Sequence, residues 1–161
     1  MPSRPGGDEG FVEHEGARLW YVVHGRGVPV FLLHGGLGHS GNLGHQVPAL
    51  LEAGYRVILM DSRGHGRSTR DDRPYSYALM ASDLQAVMDH LGIDRAALVG
   101  WSDGACIGLV LASQVPDRVS GVFFFACNMD PSGARDPIEF TPVVKRCFSR
   151  HVQDYQRLTT T

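Results

Sequence analysis

Apolar residues occur in short runs separated by glycine-punctuated turns, and the period of those runs changes along the chain. From Ala17 to Val23 they alternate, with Leu19, Tyr21 and Val23 on one side, which predicts a half-buried strand. Val30-Phe31-Leu32-Leu33 and Arg56-Val57-Ile58-Leu59-Met60 are continuous, as in strands buried on both faces. Between them lie a glycine-rich loop, Gly35 to Gly44, and a helical segment in which Val47, Leu50 and Leu51 share a face before Gly54. Ser76 is placed to cap a second helix, because Tyr77, Met80, Leu84, Val87, Met88 and Leu91 then recur at helical spacing until Gly92. A strand at Ala96 to Gly100, a helix at Ser102 to Gln114 and a strand at Val119 to Ala126 continue the alternation. Such an order predicts the α/β class: a mostly parallel sheet with helices on both faces, a three-layer αβα sandwich. Residues 1–10, rich in glycine, proline and charge, predict a disordered tail. Val143 to His151 predicts an amphipathic helix.

Composition narrows the class without changing it. With 161 residues, 43% hydrophobic and 20% charged, the chain can bury one core. A formal charge of −2 gives no electrostatic footprint for nucleic acid or an anionic membrane. The longest apolar stretches, such as Val122 to Cys127, are far shorter than the ~20 residues that span a bilayer, and the start lacks the apolar core of a signal peptide. Cys106, Cys127 and Cys147 have spacings that suit neither a disulfide framework nor a zinc site, so reduced thiols and a cytoplasmic location are expected. His14, His24, His39, His45, His65 and His90 show no metal-ligand spacing, and no metal or organic cofactor is implied.

The candidate chemistry centres on Gly100-Trp101-Ser102-Asp103-Gly104, a G-x-S-x-G turn between an apolar strand and a helix. A serine on so sharp a turn has its hydroxyl lifted out of the backbone, and the glycines remove β-carbons that would clash. The following helix begins with unpaired N–H groups that favour negative charge. Two further motifs fall in order at strand ends: His34-Gly35-Gly36, and Asp61 to Ser68 with the form D-x-R-G-x-G-x-S. Together the three resemble the N-terminal part of an α/β-hydrolase across most of residues 11–127, and the Gly-Trp-Ser-Asp-Gly form resembles the valacyclovir-hydrolase-like serine esterases.

That resemblance implies a partial α/β-hydrolase core over 11–129 and the start of a helical lid over 130–161. It implies hydrolysis of a small-molecule ester or similar acyl compound through an acyl-enzyme on Ser102. The backbone N–H groups of Gly36 and Asp103 would then form the oxyanion hole. The Asp103 carboxylate either complements the start of the helix or faces the pocket and pairs with a cationic group of the substrate. The acid and histidine that such a serine needs normally follow later in the chain. Asp130, after the last strand, is either that acid or a turn residue before Pro131, and His151 would have to fold back from the lid helix to act as base. His34 belongs to the oxyanion-loop signature and is expected to hold that loop. The usual positions of acid and histidine are missing, so the expectation is a truncated or incomplete enzyme of weak activity. The alternative is a catalytically inactive binding or interaction module on the same scaffold. In the family the strand at 119–126 has a neighbour on each side. With one side open and a run of phenylalanines free of proline and charge, self-association or pairing with a complementing chain is expected there.

Overall fold

The computed structural model describes residues 6–128 and 140–159. Six strands form one sheet: β1 (Asp8–His14), β2 (Ala17–His24), β3 (Pro29–Leu33), β4 (Arg56–Met60), β5 (Ala96–Trp101) and β6 (Val119–Phe125), in the order β1-β2-β4-β3-β5-β6. The β1-β2 and β2-β4 pairs are antiparallel, whereas β4, β3, β5 and β6 run parallel. The helices are α1 (Val47–Glu52), α2 (Tyr77–His90), α3 (Asp103–Gln114) and α4 (Pro142–Leu158).

The continuous apolar runs of β3 and β4 feed both faces. Phe31, Ile58 and Leu98 join Leu84 and Met88 of α2 and Leu111 of α3 in one core, while Leu32, Val57 and Leu59 meet Leu43 and Val47 on the other. The sandwich is therefore the expected one. Ser76 caps α2 as expected, its hydroxyl accepting the Leu79 N–H at 3.1 Å.

One boundary is corrected. Asp8, Glu9 and Gly10, inside the segment read as a disordered tail, begin β1 and pair in register with Val23, Val22 and Tyr21. β1 is an edge strand held by its ladder rather than by burial, with only Val12 in the core, so its polar composition conceals it. At the other edge, β6 pairs with β5 alone among the described residues, and Phe123, Phe124 and Phe125 are 64%, 50% and 42% exposed. The helix expected at Val143 to His151 is longer at both ends, as α4. No helix among the described residues is long and apolar enough to cross a membrane.

Candidate active site

The carboxyl ends of β3, β4 and β5 converge, and the three motifs meet there. Ser102 is the single residue between β5 and α3, with φ 53° and ψ −121°, a conformation that L-residues rarely adopt. Its N–H donates to the Phe125 carbonyl at 3.0 Å, and its own carbonyl accepts the Ala105 and Cys106 N–H groups at 2.9 and 3.1 Å. The flanking glycines are required by contact. A β-carbon on Gly100 would lie 2.5 Å from the Gly104 carbonyl oxygen, and one on Gly104 would overlap the Leu33 carbonyl of β3. This is the sharp strand-to-helix elbow expected from the pentapeptide.

The Gly35-Gly36 loop lies at the same end of the sheet. A β-carbon on Gly35 would be 3.0 Å from that of Ser102, and one on Gly36 would meet the Asp103 carboxylate. His34 fixes the loop: its Nδ1 donates to the Gly35 carbonyl at 2.8 Å, and its Nε2 accepts the Ser62 N–H at 3.0 Å. Both ring nitrogens are thus engaged in the neutral tautomer. Burial at 1% exposure holds the imidazole down to about pKa 4, despite the opposing pull of the Asp61 charge. His34 therefore positions the loop, as expected, and is not a free base.

The Asp61–Ser68 turn is the frame beneath. Asp61, fully buried, accepts the backbone N–H groups of Ser40 (2.7 Å) and Arg67 (3.0 Å). Ser68 donates to the Asp61 carbonyl at 2.6 Å and accepts the Trp20 N–H at 2.8 Å. The Arg63 guanidinium, with no exposed surface, is held by both oxygens of Asp83 at 2.6 and 2.8 Å and by Asp71 at 3.2 Å.

Two cavities open around this frame and share Gly36 and Leu37. The smaller, about 290 Å³, is lined by Trp101, Ser102, Cys147, Phe148 and His151. The larger, about 570 Å³, is lined by His65, Tyr75, Tyr77, Met80, Asp103 and Tyr155. Asp103 heads α3 and accepts the Tyr77 hydroxyl proton at 2.8 Å, so its carboxylate complements the helix start and also reaches the larger cavity. Burial, then this bond to a carboxylate, raises the Tyr77 hydroxyl well above its ordinary pKa. From α4, Tyr155 donates to the Gly64 carbonyl at 3.0 Å and packs edge-on against His65.

Of the residues read as acid and base, His151 enters the Ser102 cavity and Asp130 lies outside the described residues. His151 Nδ1 is 2.9 Å from the Cys147 carbonyl, which can only accept, so Nδ1 carries a proton and donates it there. Sequence reasoning did not single out Leu37, Tyr77 or Tyr155 as lining residues. Leu37 adopts φ 58°, which nothing in its side chain signals, and Tyr77 reads as one more apolar position of a helix.

Comparison with known proteins identifies the fold family. Residues 28–142 match the family described as alpha/beta hydrolase fold. The chain belongs to that family. A protein named as a carbamate hydrolase, RutD, from Azorhizobium caulinodans is 40% identical over 119 residues, covering 74% of this chain and 42% of that protein. Epoxide hydrolase B of Mycobacterium tuberculosis is 39% identical over 99 residues, covering 60% of this chain and 28% of its own length. Among solved structures, Est816, described as an N-acyl homoserine lactone degrading enzyme, superposes with a TM-score of 0.71 at 34% identity, covering 76% of this chain and 49% of that one. The chain spans less than half the length of these hydrolases.

Proposed function

We propose that this chain carries the nucleophile and oxyanion hole of a serine hydrolase acting on carboxylic esters or similar acyl compounds, with an acyl-enzyme on Ser102. The supporting observation is a serine, rather than a carboxylate, at the apex of the elbow beside the Gly36 loop. A serine oxygen that attacks a carbonyl forms an ester that water can cleave in turn. The same oxygen opening an epoxide would leave an ether, with no carbonyl for water to attack, and turnover would stop. Carbonyl substrates are therefore favoured over the chemistry named for the epoxide-hydrolase relatives.

The reacting carbonyl would sit at Gly36, where the two cavities join, with one half of the substrate in each. The N–H groups of Gly36 and Asp103 would receive the developing oxyanion, each worth about 3 kcal/mol in the transition state. The Tyr77 hydroxyl bound to Asp103 draws carboxylate charge away from that oxyanion. Asp103 and the tyrosine rings of the larger cavity also support a cationic group, such as an ammonium, on that half of the substrate.

Among the described residues the Ser102 hydroxyl has no hydrogen bond to a histidine: His34 is engaged by the Gly35 carbonyl and the Ser62 N–H, His65 by the Arg63 carbonyl, and His151 by the Cys147 carbonyl. The hydroxyl then stays protonated and weakly nucleophilic, and the chain alone is expected to turn over slowly. The test is fluorophosphonate labelling with peptide mapping, together with p-nitrophenyl acetate hydrolysis by Ser102→Ala and His151→Ala. Slow labelling confined to Ser102, with weak hydrolysis changed little by either substitution, is expected. Fast turnover abolished by both substitutions would identify His151 as the base. No adduct at Ser102 under saturating reagent would favour a binding module on a hydrolase scaffold.

A further inference from the structure

Directly behind the elbow lies a pair of thiols that the hydrolytic reading does not use. Trp101 of β5 is the register partner of Phe125 of β6, and the Ser102 N–H bonds the Phe125 carbonyl at 3.0 Å, so the first turn of α3 rises beside the chain leaving β6. That chain turns at Ala126, whose φ is 53°. The turn sets Cys127 beside the first turn of α3, which carries Cys106 one helical turn past Ser102, and the nearby Cys127 thiol adds to the upward push on Cys106. Both are free and partly buried. The third thiol, Cys147, is exposed on α4 and lines the Ser102 cavity instead.

We propose that Cys106 and Cys127 are a modification site that a hydroperoxide oxidises to an intramolecular disulfide. One thiolate attacks the peroxide oxygen, the O–O bond breaks, and a sulfenic acid forms as the alcohol or water leaves. The second sulfur then attacks the sulfenic sulfur, the S–O bond breaks and a second water leaves. The two thiols lose two electrons and two protons, and the peroxide takes them up. Burial pushes the Cys106 thiol above the ordinary cysteine value, which keeps most of it protonated at neutral pH. The product ties the start of α3, with its Asp103 N–H, to the chain leaving β6. This site is independent of the proposed acyl chemistry and can be tested without any activity.

The experiment is hydrogen peroxide treatment of the dilute, fully reduced chain, followed by thiol blocking, intact mass and tryptic mapping. Cleavage after Arg95, Arg118, Arg135 and Arg146 places the three cysteines on separate peptides. The expected product is a monomer lighter by two hydrogens, in which peptides 96–118 and 119–135 are linked and Cys147 is alkylated or oxidised by itself. Cys127→Ser should abolish the link without transferring it to Cys147. Equal alkylation of Cys106 and Cys127 before and after peroxide, a link to Cys147, or only intermolecular disulfides would overturn the proposal.

Discussion

Replacing Asp83 by leucine should destabilise the chain more than a typical core substitution. Arg63 has no exposed side-chain surface, and Asp83, 1% exposed, supplies two of its charged contacts at 2.6 and 2.8 Å. Once Asp83 is gone, the guanidinium keeps Asp71 at 3.2 Å and two long contacts, to the carbonyls of His14 (3.4 Å) and Glu15 (3.5 Å). A buried charge stripped of its main partner costs about 3–5 kcal/mol. For a chain of this size each kcal/mol lowers Tm by about 2–4 °C, so a fall of roughly 6–20 °C is expected. Urea and thermal unfolding followed by circular dichroism would measure it. The double variant Arg63→Met/Asp83→Leu should recover most of the loss, because removing both charges removes the desolvation penalty with the attraction. Less than about 1 kcal/mol lost in Asp83→Leu, or a double variant no better than the single, would refute the view that desolvation dominates here. Because Arg63 anchors the turn that supplies the Ser62 N–H to His34, the single variant should also slow labelling of Ser102.

His34 makes stability depend on pH. Its folded pKa, about 4, lies below the unfolded value near 6.5, so the unfolded chain binds the extra proton first; stability is constant above about pH 6.5 and falls by about 3 kcal/mol as pH drops to 4. Urea midpoints that stay flat between pH 7 and 4.5, after subtracting the same series for His34→Gln, would contradict this. At the β6 edge, Phe124→Lys should reduce self-association of the chain, read by sedimentation over a concentration series. A monodisperse parent chain whose association state the substitution does not alter would show that the exposed phenylalanines do not mediate contact.

The sandwich was legible because its strands declare themselves: Val30 to Leu33 and Val57 to Met60 are apolar on both faces, and helical spacing marks α2 without ambiguity. The elbow and the loop were legible because close backbone approach demands glycine, as Gly100 and Gly104 show. β1 was not, since its hydrogen bonds are made by backbone that any residue provides. The larger cavity was equally hidden. Its wall joins Tyr77 of α2, Asp103 of α3 and Tyr155 of α4, and no local pattern states that these distant residues share a space. The thiol pair depends on a turn at Ala126 that alanine does nothing to advertise.

The apex of the elbow has a consequence for how this sequence can drift. Ser102 holds a backbone geometry suited to glycine, and a side chain there stores roughly 1–3 kcal/mol of strain. The neighbouring glycines, the β3 carbonyl and the bond to Phe125 hold it in place. A glycine at 102 would release that strain and retain every one of those backbone contacts. Screening variants for thermal tolerance alone would thus favour molecules that have discarded the hydroxyl, and the fold would tighten as the atom proposed to attack the substrate disappeared.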